Sequence, residues 1–140
     1  VLDWLCAKTQ LPVSAIVIIG RSLGSGIAVQ VAAARNVAGM ILISPFDRLL
    51  NVIRNRIRFF PDFLLQDKFN SVEHISQVSC TILCITGACD TTIPPELTKA
   101  LFIQWAGQLI EHNVPEGRHR GLLRYHSVQS EVALFLAELR

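Results

Sequence analysis

Four short apolar runs recur along the 140-residue chain. Each run is rich in β-branched or aliphatic residues and ends near a glycine, a proline or a polar residue, which is typical of a buried strand. The predicted strands are Ala15 to Gly20, Val37 to Ser44, Thr81 to Thr86 and Gln108 to Val114. All four are far shorter than the roughly 20 residues that a membrane-spanning helix needs, so we expect them inside a folded core.

The segments between and around these runs have the spacing and composition of helices. The predicted helices are Val1 to Lys8, Ser22 to Arg35, Pro95 to Trp105 and Ser127 to Leu139. Strands that alternate with helices are typical of an α/β fold, in which a parallel sheet carries helices on both faces. No repeat, low-complexity tract or flexible linker divides the chain, so residues 1–140 are predicted to form one domain with its strands in sequential order.

The segment 46–70 departs from this alternation. It mixes aromatic residues, arginines and a proline with patchy helical spacing, and it is long for a connection in an α/β fold. We therefore interpret it as a candidate lid. Arg54, Arg56 and Arg58, together with Phe59 and Phe60, would suit a pocket for an anionic or acyl substrate, but a solvated arginine face over packed rings is the favoured interpretation.

Composition and charge narrow the range of partners. The hydrophobic fraction of 51% is enough for a sizeable core, and the net charge is only +2, with no basic stripe that would indicate a nucleic-acid partner. Cys6, Cys80, Cys84 and Cys89 form no Cys-x-x-Cys pair and are interpreted as buried or incidental thiols. Cys80 and Cys84 would face the same side of a strand without further ligands, so no metal is predicted.

The sharpest chemical signal is Gly20-Arg21-Ser22-Leu23-Gly24, a G-x-S-x-G between a predicted strand and a predicted helix. At such a turn a serine projects its hydroxyl above the sheet, and Gly20 and Gly24 would let the strand and the helix approach closely. The helix N-terminus favours negative charge nearby. A nucleophile elbow is the favoured interpretation, with a phosphate-binding turn over Gly20 to Gly26 as the alternative.

The run GRSLGSG, followed by IAVQVAA and then LISPFD, resembles a subgroup of small α/β-hydrolases with serine esterase, lipase, lysophospholipase-like and peptidase-like members. The resemblance covers essentially the whole length and implies about four C-terminal strands of that fold. In this family the acid follows the next-to-last strand, which points to Asp90 within GACD, before the IPP that begins a helix. The histidine follows the last strand, which points to His119 within VPEGRH.

The resemblance implies a serine hydrolase that cleaves ester, thioester or amide bonds through an acyl-enzyme. Ser22 would be the nucleophile, His119 the base and Asp90 the acid, in the chain order expected for α/β-hydrolases. The backbone N–H of Leu23 would be one oxyanion donor, and the second would come from a loop outside this chain. A small acyl-containing substrate is expected, with no cofactor.

Other residues are weaker candidates for the same roles. Asp47 is the reserve for the acid, although it more simply caps the following helical turn. His112 and His126 lie where structural or surface histidines are common. Near His119 the sequence departs from the family pattern, because Glu116 replaces a small residue and Arg120 replaces an Asn; these charges are expected to shift the loop or to pair with each other.

The first residues resemble the middle of a helix and include neither an initiating Met nor the basic and apolar regions of a signal peptide, so we expect the natural start and several upstream strands to be absent, which leaves targeting open. An unpaired apolar strand would then favour self-association through the sheet edge. The main alternative to an enzyme is therefore a non-catalytic fragment or interaction module that lacks the oxyanion loop. The sequence leaves cellular location open, with the cytoplasm favoured.

Overall fold

The computed structural model describes residues 1–66, 68–103 and 105–139. The strands are β1 Val17–Arg21, β2 Gly39–Ile43, β3 Thr81–Gly87 and β4 Leu109–Val114. The α-helices are α1 Leu2–Thr9, α2 Leu23–Ala34, α3 Leu49–Arg54, α4 Ser71–His74, α5 Pro95–Phe102 and α6 His126–Glu138. Short 3₁₀ turns occur at Val13–Ala15, Asp62–Leu64, Ile75–Gln77 and Leu122–Arg124.

The strands form one parallel sheet in the order β1-β2-β3-β4. Gly20 pairs with Leu42, which pairs with Cys84, so the register carries across the central strands without a slip. Because consecutive strands are neighbours and parallel, all four carboxyl ends lie on the same edge of the sheet. The sequential parallel order predicted from the sequence is confirmed.

The core has two layers, one on each face of the sheet. Met40 and Leu42 of β2 pack on one face against α2 and α5, whereas Ile41 and Ile43 pack on the other face against α6. All four side chains are essentially inaccessible, which explains why β2 is continuously apolar rather than alternating. The predicted arrangement of helices on both faces is confirmed.

Several helix ends differ from the sequence prediction by a few residues. The helix predicted from Ser22 begins at Leu23, because Ser22 has a backbone φ of 52° that no α-helix accepts. The helix predicted to reach Trp105 ends at Phe102, and the Trp105 indole instead donates a hydrogen bond to the carbonyl of Val78, 3.1 Å away.

The cysteines occupy different environments. Cys80 and Cys84 are buried, Cys6 is half-buried and Cys89 is exposed. Burial raises the pKa of the Cys84 thiol, and the negative charge of Glu111 raises it further; burial also raises the pKa of Cys80. These two thiols are therefore held in the neutral form, in which cysteine behaves as a small apolar residue.

None of the helices within 1–66, 68–103 and 105–139 is both long and apolar enough to cross a lipid bilayer. The longest, α6, has 13 residues, against about 20 for a bilayer span.

Candidate active site

Ser22, His119 and Asp90 meet at the carboxyl edge of the sheet. Ser22 directly follows β1, Asp90 follows β3 after a two-residue turn, and His119 lies in the loop after β4. The Ser22 Oγ lies 3.0 Å from His119 Nε2, and His119 Nδ1 lies 2.8 Å from Asp90 Oδ2. Since a carboxylate only accepts, Nδ1 carries the ring proton and Nε2 is free to accept the Ser22 hydroxyl proton.

The turn at Ser22 is strained and well supported. Its φ of 52° and ψ of −124° lie in a region that residues other than glycine rarely adopt. The Ser22 N–H donates to Ile43 O at 2.9 Å, which extends the sheet pairing by one residue. The Ser22 carbonyl accepts from both the N–H and the hydroxyl of Ser25, at 2.8 and 2.6 Å. These bonds hold the nucleophile candidate in place above the sheet.

The two glycines of the elbow have different surroundings. A Cβ on Gly20 would lie 2.6 Å from the Ala28 Cβ and 2.8 Å from the Ser25 Cα, so the close packing of β1 against α2 depends on glycine there. A Cβ on Gly24, apart from its chain neighbours and the backbone of its own helix, would meet no described atom within 4 Å. Within the described residues the close approach of β1 and α2 is therefore centred on Gly20 and not on Gly24. The elbow role of both glycines stays a prediction.

Leu23 is the first residue of α2 and immediately follows Ser22. The backbone N–H groups of a first helical turn have no partner within the helix, so they are available to a group outside it. The position of Leu23 is the one that the oxyanion prediction requires. Its role as a donor stays a prediction.

Asp90 is 4% exposed, and both its oxygens are fully engaged. Oδ1 accepts from the backbone N–H groups of Thr92 and Ile93, each at 2.9 Å. Oδ2 accepts from the Ser44 hydroxyl at 2.9 Å as well as from His119. Four donors thus fix the carboxylate plane and direct one oxygen toward the imidazole.

Two glycines bring the loop that carries Asp90 (the acid loop, residues 88–94) and the loop that carries His119 (the histidine loop, residues 115–121) into backbone contact. A Cβ on Gly87 would overlap the backbone of Gly117, and a Cβ on Gly117 would lie 2.9 Å from the Gly87 Cα. The loops are also joined by the Cys89 N–H, which donates to Gly117 O at 2.9 Å. Sequence reasoning gave neither glycine a role, although each is close behind a predicted strand.

Arg21 contacts the histidine loop, and the sequence did not predict this role. Its guanidinium donates to the backbone carbonyl of His119 at 3.3 Å and so connects the elbow to the histidine loop. Glu116 and Arg120 form no ion pair with each other in the described residues, contrary to one of the expected effects. Instead, the Glu116 carbonyl accepts from the Tyr125 hydroxyl at 3.3 Å.

The weaker candidates have hydrogen-bond partners or positions outside the Ser22, His119 and Asp90 group. The carboxylate of Asp47 accepts from the Asn51 side chain at 2.5 Å, so it does not cap α3 through a backbone N–H as predicted. His112 Nε2 pairs with the Ser127 hydroxyl at 3.2 Å, and His126 begins α6. In the described part of the chain, none of the three forms a hydrogen bond or ion pair with Ser22 or His119.

The segment 46–70 lies partly over the acid loop. Asn55 and Arg56 donate to Thr91 O and Thr92 Oγ1, at 3.5 and 3.3 Å. Arg54 pairs with Asp62, and Arg58 lies 5.7 Å from the Phe59 ring centre. Phe59 is 87% exposed, so the favoured interpretation of arginines over packed rings is wrong for this ring. Among the described residues, no three His, Cys, Asp or Glu side chains form a group suited to a metal ion.

Comparisons with other proteins show which fold this is. The chain resembles an acetyl xylan esterase from Paenibacillus sp. R4 with a TM-score of 0.78 and 18% identity, over 98% of this chain and 49% of that one. A 2,6-dihydroxy-pseudo-oxynicotine hydrolase matches with a TM-score of 0.76 and 19% identity, over 99% and 44%. Pyrococcus horikoshii acylaminoacyl peptidase matches with a TM-score of 0.74 and 15% identity, over 96% and 25%.

The chain therefore has a partial α/β-hydrolase fold, made of four parallel strands and their helices. By sequence it is 33% identical over 100 residues to an uncharacterized protein of Mycobacterium tuberculosis strain CDC 1551, and equally to one of strain H37Rv. The match covers 71% of this chain and 36% of each relative, so the chain spans about a third of their length. The sequence matches no protein-family profile.

Proposed function

We propose that this protein is a serine hydrolase of the esterase or peptidase type, with Ser22 as nucleophile, His119 as base and Asp90 as acid. The observation that carries the proposal is the continuous line of hydrogen bonds from the Ser22 hydroxyl through the imidazole to the buried carboxylate, at 3.0 and 2.8 Å. Nucleophile, base and orienting group within hydrogen-bond reach are the signature of an activated nucleophile.

In the acylation step, His119 Nε2 takes the Ser22 proton as Oγ forms a bond to the carbonyl carbon of the substrate. The carbonyl oxygen becomes an oxyanion, which the N–H of Leu23 stabilises at the start of α2. The tetrahedral intermediate then collapses. The bond to the leaving alcohol, thiol or amine breaks, and that group takes the proton from His119.

In the deacylation step, water gives a proton to His119 and its oxygen attacks the acyl-serine carbonyl. A second tetrahedral intermediate collapses, the carboxylic acid leaves, and Ser22 regains its proton from His119. Asp90 keeps the Nδ1 proton on its side of the ring throughout and stabilises the imidazolium that forms in both steps.

The names of two fold neighbours support the proposed substrate class. An acetyl xylan esterase and an acylaminoacyl peptidase act on carbonyl groups attached to oxygen or nitrogen, and the same two bond types, with thioesters, are proposed for this chain. The segment 46–70, which contacts the acid loop at Thr91 and Thr92, is proposed to act as the lid that selects the acyl or leaving group.

The test is labelling with a fluorophosphonate probe of the protein as it is naturally produced. Ser22→Ala should abolish labelling, because the probe reacts only with an activated serine, whereas Ser14→Ala should label like the wild type because Ser14 is exposed and lies before β1. Labelling that persists in Ser22→Ala, or none in the wild type, would contradict the proposal. Stabilisation by phosphate that is indifferent to Ser22→Ala would favour a phosphate-binding turn.

A second candidate function rests on β1. Within the described residues this strand pairs only with β2, and its Ile19 side chain is 59% exposed. A free apolar edge favours pairing with another chain. An interaction module that self-associates through β1 is therefore the alternative to catalysis.

A further inference from the structure

Ser44 is a second strained serine at the carboxyl edge of the sheet. It follows β2 directly, is 2% exposed and has a φ of 47°. Its N–H donates to Ile85 O at 2.9 Å, in the same way that the Ser22 N–H donates to Ile43 O. A residue other than glycine keeps such a conformation only where the surrounding structure imposes it, and such residues cluster at functional sites.

The side chain of Ser44 donates to the acid of the proposed site. Its hydroxyl lies 2.9 Å from Asp90 Oδ2, and this is the oxygen that His119 Nδ1 contacts at 2.8 Å. The other carboxylate oxygen is held by backbone N–H groups, whose positions are set by the chain itself. The Ser44 hydroxyl is thus the side-chain donor that fixes where Oδ2 lies relative to the imidazole.

We propose that Ser44 is a positioning residue that acts through Asp90 to keep His119 oriented toward Ser22. This inference rests on the function proposed above and extends it by one residue. Oδ2 accepts from both the His119 Nδ1–H and the Ser44 hydroxyl, so the hydroxyl restrains the same oxygen that orients the imidazole. Without that donor the carboxylate can rotate away from the imidazole, and the desolvated oxygen is left short of one hydrogen bond.

The first experiment introduces Ser44→Gly and Ser44→Ala separately into the protein as it is naturally produced. The rate of p-nitrophenyl acetate hydrolysis is then compared between the two variants and the wild type. Both variants remove the hydroxyl, but glycine accepts a positive φ freely and alanine does not. Loss of one hydrogen bond to a charged group predicts a fall in kcat of about tenfold in both, with KM unchanged. Activity lost in Ser44→Ala alone would show that the backbone matters and the hydroxyl does not, which would overturn the inference.

The second experiment asks whether Ser44 acts through Asp90. In an Asp90→Ala background, Ser44→Gly should lower the rate of fluorophosphonate labelling no further, because the group that Ser44 positions is gone. A further loss of similar size in that background would show an independent, structural effect and would overturn the inference. Wild-type activity that survives Ser22→Ala would instead reject the proposed function, so the two failures are distinguishable.

Discussion

At the scale of single residues, the ionisation and reactivity of each cysteine thiol depend on its burial rather than on its spacing in the sequence. Cys84 lies in the central strand β3, beside β2, and is 1% exposed, whereas Cys89, five positions later, is exposed within the acid loop. Withdrawal from water disfavours the thiolate, and the nearby charge of Glu111 disfavours it further. Reactivity toward thiol reagents should therefore differ sharply between the two.

We predict that Ellman's reagent modifies Cys89 rapidly in the native protein and reaches Cys80 and Cys84 only on unfolding. Burial raises the pKa of Cys80 and Cys84 above the ordinary thiol value of 9.0, so the free energy of unfolding should fall as the pH rises above that value, where the unfolded chain ionises these thiols and the folded chain does not. The measurement is the number of fast-reacting thiols before and after urea, with Cys89→Ser as the control. Cys6 is half-buried and can add its own signal to the native reaction. A fast phase as large in Cys89→Ser as in the wild type would contradict the prediction.

Single residues also show where sequence reasoning ends. The motif around Ser22 is local and was predictable, and the positions of Asp90 and His119 followed from a resemblance that placed both behind strands. The hydrogen bond from Ser44 to Asp90 joins residues 46 positions apart and leaves no local pattern, because a serine before Pro45 reads simply as the end of a strand. The contact between Gly87 and Gly117 was invisible for the same reason.

At the scale of elements, the crossing of β1 and α2 determines where the nucleophile candidate stands. The strand and the helix approach each other so closely at Gly20 that the Ala28 methyl group occupies the space a side chain would need. The sequence predicted both elements and their alternation. It did not predict that Ser22 stays outside the helix, since that depends on the strained turn and on the Ser25 hydrogen bonds.

The two elbow glycines should respond oppositely to alanine. Gly20→Ala should lower the free energy of unfolding by about 1–3 kcal/mol, because its Cβ overpacks the strand-helix contact. Gly24→Ala should leave it unchanged or raise it by up to about 1 kcal/mol, because the position is helical and open and alanine is the better helix former. Urea denaturation of the two variants measures the difference. Equal destabilisation would show that the close approach is not centred on Gly20.

At the scale of the whole molecule, the sheet is well covered in its middle and sparsely covered at β1. The two core layers enclose β2 and β3, while the first strand leaves Ile19 exposed. Exposed apolar residues also precede and follow β1 in the chain, namely Trp4, Leu11, Leu23 and Ile27. Apolar surface of this kind, next to unpaired backbone groups, is a site for association.

We predict that the 140-residue chain self-associates when produced alone, and that Ile19→Lys weakens this association because a charge on the edge opposes strand pairing. Ile103→Lys is the matched control, since Ile103 is 78% exposed but follows α5. Light scattering across a concentration series gives the measurement. A chain that stays monomeric, or one that both variants affect equally, would argue against an interaction through β1.

The parallel sheet places the proposed catalytic residues at one edge and the connections that lead into the strands at the opposite edge. The loop after each strand carries one residue of the candidate site, namely Ser22, Ser44, Asp90 and His119 in strand order. The connections that lead into the strands lie at the other end, about 17 Å away for a five-residue strand. A fluorescent label or a purification tag belongs on that far side, at a position such as Asn36 between α2 and β2, away from the residues proposed for catalysis.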